Sequence, residues 1–413
     1  MSDTEYGGPV PSGGAARMTA TQPREALAAA RDLAPTLARR AAAHDEAGVF
    51  PQADFDDLRA AGLLGLMVPT RLGGAGASFT EYTEVAVELA TGSGATALIF
   101  NMHASVTGAL AHVPDDVARS LGASDGYFAA RDRILADAAA GALYAVAMSE
   151  RGAGSRLSRL ATRYERRDDG FRIVGSKAFV SGAGHADAYL VAAKAPEPGA
   201  DGGPIVSYFL VPAGAGVTVE PTWDALGMRA TGSHDLHLDV TVPTDALLGG
   251  VEGLTLPLAQ VMPHWLVASY AAVYVGVARS ALEAASRHLR DRGLTQLPAA
   301  RARIGRADAE VAAARLAVAE AARRVDADPA ALDTRRWVWR AKLLAGDTAA
   351  RVTASMVEAA GTSVTRRGHA LERLFRDARC GALQPPPSDV CADWLGVAGL
   401  GGDPERDTAV PRW

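Results

Sequence analysis

What most constrains this chain is a change of texture that happens twice. From Pro23 to about Ala139 the apolar residues recur at helical spacing, as in Ala26-Leu27-Ala28-Ala29-Ala30-Arg31-Asp32-Leu33, and Gly62 reads as the stop of the helix that begins near Asp54. Near Leu143 alternating and β-branched runs take over: Phe171-Arg172-Ile173-Val174, Tyr189-Leu190-Val191-Ala192, Ile205 to Val211 and His237 to Val242, separated by Gly, Pro and Asp clusters. After about Val251 long Ala/Leu/Arg segments return, such as Val273 to Leu289 and Arg301 to Val325. Helices, then strands, then helices predicts an α+β chain and excludes a doubly wound βαβ plan. The expected units are a helical domain over 23–140, a β domain over 141–250 and a helical domain over 251–413. Residues 1–22, rich in Gly, Ser, Pro and Thr, read as a disordered tail, with Met18 an alternative start.

Charge and cysteine content narrow the partners. There are 42 Lys+Arg against 47 Asp+Glu, a net charge of −5, which argues against a nucleic-acid or anionic-membrane surface. Cys380 and Cys391 have neither CxxC spacing nor a histidine partner pattern, so no metal site and no disulfide framework is expected. The run Trp265 to Ala278 is too short to span a bilayer, and Met1-Ser2-Asp3-Thr4-Glu5 lacks the basic and apolar regions of a signal peptide. The expectation is a cytoplasmic protein without a membrane span.

Three stretches mix Gly, small hydroxyls and polar residues at the ends of expected strands, where a ligand needs close backbone approach and hydrogen bonds. They are Ala147-Met148-Ser149-Glu150-Arg151-Gly152-Ala153-Gly154-Ser155, Gly175-Ser176-Lys177-Ala178-Phe179-Val180-Ser181-Gly182-Ala183, and Trp223 to Asp235. Each alone reads equally well as a Gly-rich turn.

In this order, between two helical regions, the stretches resemble the acyl-CoA dehydrogenase superfamily of flavoproteins. Phe50-Pro51, Leu63 to Pro69 and Leu72-Gly73-Gly74 are similar to the family's first domain, and Arg373-Leu374-Phe375-Arg376-Asp377-Ala378-Arg379 to its last-domain signature. The resemblance implies an N-terminal helical domain, a middle β-barrel domain and a C-terminal helical bundle, assembled as a homodimer or homotetramer around FAD. It implies that Met148 and Ser149 face the flavin ring and that Gly154 and Ser155 lie near its pyrophosphate or the substrate mouth. Phe179, Val180 and Ser181 would pack against the ring and bond it, and Arg292, in a weakened form of the usual cofactor-clasping motif, would reach a neighbouring subunit's cofactor.

The departures from the family bear on mechanism. Dehydrogenation of an acyl thioester needs a carboxylate to take the α-proton, yet Pro385 stands where that Glu usually is, and the alternative stretch Met262 to Tyr270 holds no carboxylate. Asp389 and Glu358 are the remaining candidate bases. His103, on a helix that in this fold passes near the flavin, points instead to the monooxygenases of the same fold, where a His and a Ser like Ser181 assist oxygen activation; His264 and His369 are weaker candidates. The leading expectation is α,β-dehydrogenation of an acyl thioester on CoA or a carrier protein. The alternatives are a reduced-flavin-dependent monooxygenase acting on a small molecule, and a catalytically silent partner subunit. An electron-transfer partner or a flavin reductase would complete either enzyme.

Overall fold

The computed structural model describes residues 22–200, 202–265 and 267–406; apart from Gln22, the tail expected over 1–22 lies outside them, as do Met18 and Leu266. The chain opens with α1 (Pro23–Ala47), α2 (Gln52–Ala60), α3 (Phe79–Gly92), α4 (Gly94–His112), α5 (Asp115–Ser120) and α6 (Asp125–Ala139). Their starts follow local chemistry. At the head of α3 the Ser78 hydroxyl accepts from the Glu81 N–H at 3.2 Å, while the Glu81 carboxylate accepts from the Ser78 N–H at 2.8 Å. Gly62 sits in the left-handed region at φ +70°, two residues past α2, and ends it as its sequence position suggests. Helix α4 has few polar side chains and is buried on almost every face, so it runs through the core rather than along the surface.

Seven strands follow: β1 (Tyr144–Ala147), β2 (Arg163–Arg167), β3 (Gly170–Val180), β4 (Ala188–Lys194), β5 (Val206–Pro212), β6 (Val217–Glu220) and β7 (His234–Pro243). They form one mixed sheet in the order β1-β4-β2-β3-β7-β6, with β5 paired to β4; β1 runs parallel to β4 and the hairpin neighbours are antiparallel. One irregularity decides the site. Against β7, Lys177 faces Leu236 but Val180 faces His234, so three steps on β3 match two on β7. The extra residue is a β-bulge, which breaks the in–out alternation and re-aims one side chain. Lys177 and Ala178 are buried in succession, and Phe179 after them is turned outward at φ +60° with 56% of its surface exposed.

The chain closes with α7 (Thr255–Val261), α8 (Ser269–Asp291), α9 (Pro298–Ala327), α10 (Leu332–Ala360), α11 (Ala370–Arg379) and α12 (Ser388–Gly399). The stretch Pro263–Asp291 is long and apolar enough, by length and composition, to cross a membrane, which the run read from the sequence was not. In this fold 82% of that window is buried inside the protein, as befits a core helix. A single apolar cluster joins the helices of both ends to the inner face of the sheet.

Polar clamps add to this apolar joint between the three parts. Arg376 of α11 grips the Asp45 carboxylate of α1 with both terminal nitrogens, at 3.0 and 2.5 Å, and donates to the Leu226 carbonyl below the sheet at 3.1 Å. Its neighbour Asp377 accepts the Met228 N–H at 2.6 Å. Gly227 permits this approach: a Cβ there would stand 2.2 Å from the Arg376 carbonyl oxygen. The signature Arg-Asp pair of the sequence is therefore the pin that fastens α11 to α1 and to the loop before β7.

Candidate active site

Between the sheet, α4, α7 and the turn after α11 lies a cavity of about 600 Å³. The first two polar stretches meet there: Met148, Ser149, Gly154 and Ser155 follow β1, while Phe179 and Ser181 close β3. The end of β1 is held to β3 by the Ala178 N–H donating to the Ser149 carbonyl at 2.8 Å. Gly154, at φ +62°, has nothing within 4 Å of where a Cβ would stand, which leaves its backbone open to close approach. Phe179, aimed outward by the bulge, meets Trp223 edge-on at 6.2 Å and 83°, making an aromatic rim.

The third stretch supplies hydroxyls. Ser181 Oγ lies 2.9 Å from Ser233 Oγ, Ser233 Oγ lies 2.7 Å from Thr231 Oγ1, and the Thr231 hydroxyl donates to the Met228 carbonyl at 2.8 Å. All three are buried and line the cavity. Beneath the rim, Lys177 and Glu150 form an ion pair at 2.8 Å, with the lysine side chain fully enclosed. The same carboxylate accepts the N–H groups of Ala161, at 2.6 Å, and Thr162, at 3.1 Å, so it ties the chain after β1 to the start of β2.

The cavity is electrically neutral. Among the described residues, no Asp, Glu, Lys, Arg or His lines it. Its titratable lining groups are pushed further into their neutral forms by burial: the Tyr270 phenol up to about 12, the Cys380 thiol up to about 11, and the Tyr208 phenol well above its ordinary value. The hydroxyls of Tyr208 and Tyr270 meet only thioether sulfurs in the hydrogen bonds they make, Met148 at 3.6 Å and Met102 at 3.9 Å. Leu383, Gln384 and Pro385 form the wall opposite the sheet, where the sequence lacks its expected Glu.

Several residues singled out in the sequence lie elsewhere, and their places have physical reasons. His103 is buried behind the cavity: its Nε2–H donates to the Leu64 carbonyl at 2.7 Å, and its Nδ1 accepts the Tyr144 N–H at 3.0 Å. Both nitrogens are committed to joining α4, the chain after α2 and β1, which leaves neither for a ligand. Asp389 is exposed in the first turn of α12, where a carboxylate favours the helix dipole. Glu358 is exposed on α10 and paired with Arg303 at 2.5 Å. Arg292 is exposed at the end of α8. Val180 is a core residue. His369 caps α11 by accepting the Leu371 N–H at 3.1 Å, and His264 packs against Phe79 and Trp265. The reading of His103, Asp389 and Glu358 as cavity residues is corrected accordingly. Thr231, Ser233, Glu150 and Lys177 lie in the polar stretches but carry no spacing signal that separates them from turn residues.

Burial pushes the His103 imidazole down to about 4 and that of His264 down to about 3. An unfolded histidine titrates near 6.5, so between these values the unfolded chain binds more protons and stability falls as pH is lowered. From pH 7 to pH 4 His103 alone is expected to remove about 3 kcal/mol, at ~1.4 kcal/mol for each tenfold difference in proton affinity between the unfolded and folded chain. Urea unfolding across this range tests it: His103→Gln, which cannot titrate, should flatten the slope, and an unchanged slope would assign the acid sensitivity to other groups.

Known proteins carry the same architecture. The acyl-CoA dehydrogenase N-terminal, middle and C-terminal domain models match residues 21–118, 145–241 and 268–383. Cyclohex-1-ene-1-carbonyl-CoA dehydrogenase of Syntrophus aciditrophicus (strain SB) is 31% identical over 365 residues, covering 85% of this chain and 82% of that one. Dibenzothiophene monooxygenase of Rhodococcus erythropolis is 27% identical over 410 residues, covering 90% and 94%. The crystal structure of FMN-bound TdsC from Paenibacillus sp. A11-2 superposes with a TM-score of 0.78 at 27% identity, covering 91% and 97%. Order of elements, three successive domain matches and full-length relatives agree: the chain is an enzyme of the acyl-CoA dehydrogenase family.

Proposed function

We propose that this enzyme is a flavin-dependent monooxygenase acting on a small, neutral, apolar molecule, rather than a dehydrogenase of acyl thioesters. One observation carries the choice: among the described residues, no side chain on the cavity wall can take a proton from a thioester α-carbon. Those residues put no carboxylate base in the lining, and burial holds the available phenols and thiol protonated at neutral pH. Family members of both kinds are similar to this chain, so the reading rests on the cavity's chemistry.

The residues fit a flavin. Ser149, Ser155 and Ser181 provide polar contacts at the rim, open backbone at Gly154 admits a bulky group, and Phe179 and Trp223 provide an aromatic flank. The family and its FMN-bound structural neighbour support a flavin, with FAD the form the resemblance implies. When bound and reduced, the flavin supplies the two electrons with which one atom of O₂ enters the substrate and the other leaves as water. The chain's own part is to hold the substrate in an apolar enclosure and to exclude water from it. Arg292 is exposed at the end of α8, and a homo-oligomer, in which it would reach the flavin of a second copy, is what the family resemblance implies. A separate flavin reductase would supply the reduced cofactor.

The test supplies reduced FAD or FMN with labelled dioxygen and an aromatic heterocycle such as dibenzothiophene or indole. Incorporation of one labelled atom is expected. Anaerobic bleaching of bound oxidised flavin by an acyl-CoA, without label in any heterocycle, would restore the dehydrogenase reading. Ser181→Ala is expected to weaken binding of the reduced flavin by about 0.5–1.5 kcal/mol, the net worth of one hydrogen bond. Anaerobic titration with reduced flavin reads this, and undiminished affinity for that form would remove Ser181 from the cofactor's contacts.

A further inference from the structure

The three hydroxyls on the cavity wall have a fixed proton order. The Met228 carbonyl can only accept, and it lies 2.8 Å from Thr231 Oγ1, so the Thr231 proton is spent there. The same carbonyl also takes the Thr231 N–H at 3.0 Å and the Trp223 Nε1–H at 3.3 Å, and has no proton to return. Each hydroxyl carries one proton and two lone pairs. Thr231 therefore offers Ser233 only lone pairs, so across their 2.7 Å contact Ser233 is the donor. Ser233 in turn offers Ser181 only lone pairs, so across 2.9 Å the Ser181 proton is spent as well. All three side chains are buried, which keeps bulk water from reversing the order. The end of the row is anchored by the Met228 N–H, which donates to Asp377 at 2.6 Å. Ser181 is left presenting lone pairs, and no proton, to whatever occupies the cavity.

A flavin's polar edge changes sign on reduction. Its N5 accepts a hydrogen bond in the oxidised ring and, after two electrons and a proton, becomes an N–H donor. From the reading of Ser181 as a flavin contact, we infer that the Ser181–Ser233–Thr231 row selects the reduced cofactor, by accepting from the N5–H of the reduced ring and withholding a donor from the oxidised one. The site then takes reduced flavin from solution and lets the oxidised form go, as an enzyme fed by a separate reductase requires. Ser233 and Thr231 are positioning residues in this scheme, acting through Ser181.

Thr231→Val keeps the shape and removes the proton relay; Ser233→Ala interrupts it one step nearer the cavity. Either change frees the Ser181 proton to donate to oxidised N5. The readouts are the midpoint potential of the bound flavin and the dissociation constants of oxidised and reduced FMN and FAD, measured without substrate. In both variants the preference for the reduced form is expected to fall about three- to tenfold, the worth of one hydrogen bond. For a two-electron couple a tenfold change is a potential lowered by ~30 mV. Two variants that bind flavin with the parent's potential, or a higher one, would overturn the proton order while leaving the flavin site standing. A parent chain that binds neither redox form would overturn the flavin reading and this inference together.

Discussion

Glu150→Gln is expected to destabilise the folded chain by about 3–5 kcal/mol at pH 6, the usual cost of breaking a buried ion pair from one side, and by less at pH 9. The variant leaves the Lys177 ammonium enclosed, with the Met148 carbonyl at 3.4 Å as its remaining partner among the hydrogen bonds it makes. In the parent, burial already lowers Lys177 to about 8 although Glu150 works to raise it. Without the carboxylate it falls further. An unfolded lysine titrates near 10.4, so above its folded value the unfolded chain binds more protons and stability climbs with pH. That climb starts near pH 8 in the parent and at lower pH in the variant. The gap between them is therefore widest at low pH, narrows up to about pH 8 and is constant beyond. Urea unfolding at pH 6, 7.5 and 9 measures it, and a penalty independent of pH would mean lost packing rather than an unpaired charge.

Arg376→Met should cost a similar ~3–5 kcal/mol, since it strands the buried Asp45 carboxylate. The effect should also reach the cavity, because the arginine holds the Leu226 carbonyl and the next residue holds Met228, where the row of hydroxyls ends. Weakened flavin binding is expected along with the fall in melting temperature. Arg376→Lys separates charge from shape: an ammonium cannot make the two-pronged contact with Asp45, so it should recover less than half of the loss. Full recovery by lysine would reduce the arginine to a simple counter-charge.

The order of helices and strands was legible because period 3.6 and period 2 leave different marks over ten or more residues. So was the rim, whose glycines and hydroxyls fall within two short stretches. What escaped the sequence depends on pairings across distance. The extra residue in β3 shows only against β7, and Phe179 looks like any strand residue until the register slips beside it. The Ser181–Ser233 contact joins positions 52 apart, and the Arg376–Asp45 clamp joins positions 331 apart. His103 misled because a histidine on a helix near a cavity is chemically suggestive, whereas its role follows from two backbone groups, at Leu64 and Tyr144, that no local pattern reveals. Asp389 and Glu358 were named by elimination, and their exposure reflects ordinary helix surface chemistry.

The outward Phe179 has a further consequence, for selection. A bulky side chain at φ +60° costs of order 1–3 kcal/mol that a glycine or asparagine would not incur. Because more than half of its surface is exposed, little core packing offsets that cost. A survey of variants scored for thermal survival should therefore favour Gly or Asn at this position, while the same survey scored for cofactor retention should favour aromatics. The two rankings should cross at position 179 more sharply than at its core neighbours Ala178 and Val180, where folding and binding ask for the same residue.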